Sequence, residues 1–226
     1  MKRYSETIAD RWTGRHEISL EAAGDLRGKR ILDLGCGHGW FVAGAKDRGC
    51  RLTVGVDLDF SALSTARREV PSGVFLQAEP PELPFRDEHF DLAVIWEVLE
   101  HLPRGREVEC LRGLRRVLKP DGRLLLSTPR FDLRSTLTDP AWYLGHRHYT
   151  RKKLLGIVVR SGFRPLKVWS AGGFFEALSM ILFYPCKWLA GREIPGKNFF
   201  ERRRHREYQR TRGWSTYFVE AEKNLD

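Results

Sequence analysis

The chain has 226 residues, 42% hydrophobic and 30% charged, and 39 Lys and Arg against 29 Asp and Glu give a formal net charge of +10. That length suits one domain with a real core, and the composition is that of a soluble globular protein rather than a disordered chain. Cysteines at 36, 50, 110 and 186 form neither a CxxC pair nor a zinc spacing, and the opening MKRYSETIAD has no apolar leader stretch, so reduced thiols and a cytoplasmic location are expected.

Residues 1–27 carry Tyr4, Ile8, Trp12, Ile18 and Leu20 among charges, which predicts one or two amphipathic helices forming an N-terminal cap. The stretch ILDLGCGHGWF (31–41) organises the rest of the chain. A buried strand interrupted only by Asp33 runs into Gly35, Gly37 and Gly39, and residues without a Cβ let backbone N–H groups approach a ligand at a helix N-terminus. The spacing is not that of a dinucleotide fingerprint, because the third glycine comes one residue early and position 40 is Trp.

A helix over 40–48 ends at Gly49, and LTVGVD (52–57) reads as the second parallel strand. Asp57 closes it, placed where a carboxylate accepts hydrogen bonds from a ribose diol. Ser61 is the expected cap of a helix through Arg68, VFLQ (74–77) is a third strand, and FDLAVIW (90–96) is a fourth, apolar on both faces. EVLEHLP is read as a helix limited by Pro103, with Glu97, Glu100 and His101 at i, i+3 and i+4 on one face. A second helix spans 104–118, and KPDGRLLLSTP gives a turn and the fifth strand. Thr150 caps a helix through Ser161, FRPLKVWS (163–170) is a sixth strand, and WSTYFVEAEK (214–223) alternates like a seventh. This order predicts an α/β fold: a doubly wound, Rossmann-like, mostly parallel seven-stranded sheet with an antiparallel last strand and helices on both faces.

The D-x-G-x-G-x-G of residues 33–39 resembles the first motif of the class I S-adenosylmethionine-dependent methyltransferases. QAEPPELPF (77–85) and KPDGRLLLSTP are similar to further motifs of that family. The resemblance covers a core at 28–173 and a last strand within 214–226. It implies S-adenosyl-L-methionine as cofactor, held by Asp33, Gly35, Cys36, Gly37, Gly39, Asp57, Leu58, Glu79 and Trp96. Glu79 stands where the family has a shorter acidic residue.

E-x-x-E-H resembles two subsets of the superfamily, the quinone-biosynthesis O-methyltransferases and the small-RNA 3′-terminal 2′-O-methyltransferases. There these residues and a later His hold Mg²⁺ or another divalent ion. The resemblance thus offers Glu97, Glu100, His101 and His148 as metal ligands, with HRHY (146–149) supplying the later His. The alternatives are His101 as a metal-free base, with Glu97, His148 and, behind it, His146 as further catalytic candidates, or a packing role.

Residues 174–213 are an insertion. FFEALSMILFYPCKWLAG is apolar but interrupted, too short to span a bilayer, and is followed by ERRRHREYQRTR. From 192 to 212 there are eight Arg and Lys against three Glu. A lid, a dimer face and an element at an anionic membrane surface on the inner face all fit that pattern. The functional expectation is methyl transfer to a small-molecule or lipid-linked acceptor, on a hydroxyl oxygen. Two others stand beside it: an RNA 2′-O-methyltransferase, and a non-enzymatic cofactor-binding scaffold.

Overall fold

The structure, a computed structural model, describes residues 14–139, 141–185, 197–210 and 212–224. Strands β1 (Arg30–Leu34), β2 (Leu52–Asp57), β3 (Val74–Gln77), β4 (Phe90–Trp96), β5 (Leu118–Pro129), β6 (Phe163–Ala171) and β7 (Thr216–Lys223) form one sheet in the order β3-β2-β1-β4-β5-β7-β6. β1 to β5 are parallel, and β7 runs antiparallel to both β5 and β6. The chain reverses its direction of travel across the sheet between β1 and β4, and ligands of such folds bind outside the carboxyl ends of the strands at that point.

Alternate residues of a strand face opposite sides, and here both sides are covered. Leu32, Leu34, Ala93, Ile95, Leu124 and Leu126 pack with α4 (Glu107–Val117) and α6 (Arg151–Arg160), whose Leu111, Leu114, Leu154 and Val158 are fully buried. Ile31, Leu92, Val94, Trp96 and Leu125 face the other way, toward α1 (Gly14–Ala23), α2 (Trp40–Asp47) and Tyr208 of α8 (Lys197–Gln209). A third cluster, with Cys36, Val42, Leu63 and Phe75, seats α3 (Phe60–Glu69). With both faces dry, β1, β2 and β4 are buried along nearly their whole length rather than alternating.

Two expectations need correction, the cap of α3 and the helix at 97–103. Asp59 rather than Ser61 caps α3, its carboxylate accepting from the Ser61 N–H at 2.8 Å. The N-terminal cap contains α1; Tyr4, Ile8 and Trp12 lie outside the described residues. The insertion holds two helices, α7 (Phe174–Pro185) and α8, with 186–196 outside the described residues.

The larger correction is at 97–106, which forms turns and not a helix. Arg147 is the reason. Its guanidinium donates to the carbonyls of Leu99 (2.6 Å), Leu102 (2.5 Å) and Glu100 (3.3 Å), and to the Glu107 carboxylate at 2.6 Å. The Tyr149 hydroxyl also donates to the Leu99 carbonyl, at 3.0 Å. Carbonyls that a helix would satisfy from its own amides are here satisfied from the segment before α6.

Candidate active site

The site is assembled at the carboxyl ends of β1, β2, β4 and β5. After β1 the chain must turn sharply into α2, and Gly35, Gly37 and Gly39 do so at φ +74°, +51° and +83°, a region L side chains avoid. The Gly35 and Cys36 amides both donate to the Val56 carbonyl, tying the loop to the end of β2. The three glycines differ in what surrounds them. A Cβ at Gly35 would lie 2.2 Å from Val98, and at Gly39 2.9 Å from Phe75, whereas at Gly37 it would meet nothing within 4 Å. Gly35 and Gly39 therefore serve packing, and Gly37 lines open space.

Asp57 closes β2 beside that space. Its carboxylate accepts from the Gly37 N–H at 2.7 Å and the Asp59 N–H at 3.0 Å, one bond on each oxygen, leaving a lone pair on each for a diol. Leu58 and Phe60 follow it, 54% and 62% exposed, as an apolar ledge at the rim. Gln77, register partner of Asp57, bonds the Leu58 carbonyl, and the exposed Glu79 stands two residues further along that edge.

Asp33 is 1% exposed, and its Oδ2 has no hydrogen-bond partner among the described residues; the same holds for the buried Trp96 Nε1. Burial, with Asp57 nearby, pushes the Asp33 carboxyl well above the usual range. An open glycine cradle, a ribose-type carboxylate and two orphaned buried polar atoms fit an adenosyl cofactor carrying its own donors and acceptors.

Glu97, the residue after β4, holds a left-handed φ of +54°. Such a conformation costs a non-glycine residue ~1–2 kcal/mol and is found where surroundings over-determine it. Here Ser127 donates to one carboxylate oxygen at 2.7 Å and Arg15 of α1 to the other at 2.9 Å. Glu100, 4% exposed, accepts from Thr128 at 3.0 Å, and burial and the Glu97 charge push its carboxyl well above the usual range. Glu97 is thus paired with a cation, while Glu100 favours the neutral form.

His101 lies at the end of this turn, its ring 4.3 Å from that of His146 in an edge-on contact. Burial of its inner side, then the charges of His146 and Arg147, hold the imidazole below its ordinary value. His148, by contrast, is buried. Its Nε2 bonds Asp139 at 2.9 Å, its Nδ1 faces Thr136 at 3.3 Å, and its ring packs on Trp142. With both nitrogens engaged His148 braces the loop, and the other histidine of HRHY, His146, is the one that meets the His101 ring. Among the described residues no three or more His, Cys, Asp or Glu side chains gather to hold a metal ion. Glu97, Glu100, His101 and His148 thus form no such group.

The sequence reading missed Arg15, Ser127 and Arg147, and it named His146 only behind His148. Arg15 and Ser127 are ordinary in sequence and gain meaning only across 82 and 30 residues.

Residues 32–126 match the family described as Methyltransferase domain, Methyltransf_11. The chain thus holds a domain of the class I S-adenosylmethionine-dependent methyltransferase superfamily. Over 140 residues it is 30% identical to the ubiquinone biosynthesis O-methyltransferase of Neisseria meningitidis, an alignment covering 54% of this chain and 58% of that one. The chain thus spans about three-fifths of the length of the curated relatives it matches. The methyltransferase fold extends further than the sequence match. An S-adenosylmethionine-dependent methyltransferase from Mesorhizobium loti superposes with a TM-score of 0.62 at 21% identity, covering 91% of this chain and 96% of that one. The [4+2]-cyclase SpnF superposes at 0.69 and 20%, covering 94% and 82%. At these identities the likeness is one of fold, and the reaction must be argued from the site.

Proposed function

We propose that this protein transfers a methyl group from S-adenosyl-L-methionine to a hydroxyl oxygen of a small-molecule or lipid-linked acceptor. The observation that carries the reading is the pairing of an open cradle at Gly37 and Asp57 with a neutral-leaning imidazole, His101, at the neighbouring strand end. The similarity to an O-methyltransferase of ubiquinone biosynthesis supports the choice of oxygen.

When bound, the cofactor supplies an electrophilic methyl group on a sulfonium. The chain's part is alignment and proton removal. Asp57 would accept from the ribose hydroxyls, Leu58 and Phe60 would cover the adenine, and Asp33 and Trp96 would hold the polar amino-acid end. Glu97, fixed by Arg15 and Ser127, orients the acceptor, and His101 takes the hydroxyl proton on a ring nitrogen. A depressed imidazole pKa keeps that nitrogen free at neutral pH, at the expense of basicity.

The test is calorimetric titration with S-adenosylhomocysteine, then turnover against a panel of phenolic and lipid-linked hydroxyl acceptors. Micromolar binding lost in Asp57→Ala, with turnover lost but binding kept in His101→Ala, is expected. Absence of binding to the intact protein would overturn the assignment.

A further inference from the structure

The helices outside the core leave apolar side chains facing solvent. Phe174 and Ile181 of α7 are 62% and 44% exposed, Phe199 of α8 46%, and Leu133 and Leu137, one turn apart on α5 (Leu133–Thr138), 73% and 61%. These are not scattered positions, because α5 packs on α7 and α7 on α8. Phe175 bridges the last two, its ring 6.2 Å from Phe199 and 6.5 Å from Phe200. Contiguous exposed apolar surface of this kind marks an interaction site.

The charge on α8 is sorted by face. Glu201, Arg204, His205 and Tyr208, at i, i+3, i+4 and i+7, turn inward; Arg204 pairs with Glu176 of α7 at 2.6 Å and His205 with Glu17 of α1 at 2.8 Å. The outward stripe has the same spacing and reads Phe199, Arg202, Arg203 and Arg206, all exposed and without an acid among them. The Arg203 guanidinium stands over the Phe199 and Phe175 rings at 5.2 and 5.6 Å, a cationic head on an apolar body. Among the described residues no helix is long and apolar enough to cross a membrane.

We infer that the outward face of α5, α7 and α8 seats on an anionic lipid surface. Leu133, Leu137, Phe174, Ile181 and Phe199 enter the acyl boundary, and Arg202, Arg203 and Arg206 lie among the headgroup phosphates. The aliphatic members favour lipid over RNA, since Leu and Ile bury in hydrocarbon but offer bases no stacking platform. The face is also tied to the methyl-transfer site. Although burial opposes its charge, Glu176 is held below the usual carboxylate range by Arg204 and Arg15, and Arg15 is the partner of Glu97. A seated protein therefore holds its acceptor side through the same helices that touch the membrane.

The full-length chain is floated with vesicles of phosphatidylcholine alone and with about 30% phosphatidylglycerol. Binding is expected to the anionic vesicles only, weakened about a hundredfold when Arg202, Arg203 and Arg206 are all changed to Glu, and abolished by Phe174→Glu with Phe199→Glu. S-adenosylhomocysteine affinity and thermal unfolding, measured on the same samples, should match the parent, which separates this inference from the methyl-transfer reading. Should a variant fail to fold, the neutral-against-anionic comparison on the parent decides. Equal recovery with both vesicle types, recovery with neither, unimpaired flotation of both folded variants, or displacement by stoichiometric single-stranded RNA would overturn the lipid assignment.

Discussion

Replacing Gly37 by Ala separates the loop's role in folding from its role in binding. The residue sits at φ +51°, so a methyl group there costs the fold ~1–2 kcal/mol from the left-handed backbone. It adds no clash, because nothing lies within 4 Å of the new Cβ. For a chain of this size the melting temperature should fall by about 2–8 °C. The same methyl group intrudes on the open cradle beside Asp57. Overpacking of a close-fitting contact costs ~1–3 kcal/mol, so S-adenosylhomocysteine should bind roughly 5- to 150-fold more weakly. Gly35→Ala is the comparator, since its Cβ would overlap Val98 at 2.2 Å and its main loss should be of folded protein. Calorimetric titration and thermal denaturation read both quantities. A folded Gly37→Ala protein with parental affinity would refute the claim that this loop cradles the cofactor.

Arg15→Ala leaves Glu97 with Ser127 alone in a left-handed conformation; a loss of ~2 kcal/mol by urea denaturation is expected, partly restored by adding Glu97→Gln, and strict additivity in that cycle would count against a direct pair. Neutral His101 is the proposed base, and its pKa lies below the ordinary imidazole value, so kcat/KM should rise with pH through a limb below about 6.5 and then level off. His101→Gln should remove the limb together with most of the rate, and an unshifted limb in the variant would assign it elsewhere. Asp33 has a folded-state pKa raised above its unfolded value, so the native chain binds the extra proton and stability falls as pH climbs from the ordinary carboxylate range through the raised value. Asp33→Asn should therefore melt higher than the parent near neutral pH, with the advantage vanishing in acid, while binding S-adenosylhomocysteine less well; a lower melting point at pH 7 would contradict the assignment of Asp33 as a destabilising buried carboxylate.

Local chemistry made most of the sheet legible. β2 and β4 have the expected bounds because a fully covered strand is a short apolar run, whichever face each residue takes. The glycine loop and Asp57 were legible for a similar reason, since a sharp strand-to-helix turn and a strand-end carboxylate are properties of a few consecutive residues. EVLEHL misled because its helical spacing is real, yet Arg147, some 45 residues on, takes the carbonyls that a helix would use. HRHY left its two histidines hard to tell apart, because residues two positions apart look equivalent in a string, and Asp139 decides which is buried.

The sequence by itself determined that the chain forms a doubly wound sheet with an adenosyl-type cradle at β1 and β2, because those features depend on contacts between near neighbours and on hydrophobic pattern. The tertiary structure alone decided the acceptor side. Glu97 gains its orientation from Arg15 on one helix and Ser127 on another strand, His101 its ring partner from His146, and α8 its sorting of arginines from which face meets α1 and α7. Long-range pairings of charged side chains leave no periodic trace in a single sequence, since each partner is an unremarkable surface residue until the fold brings the other to it.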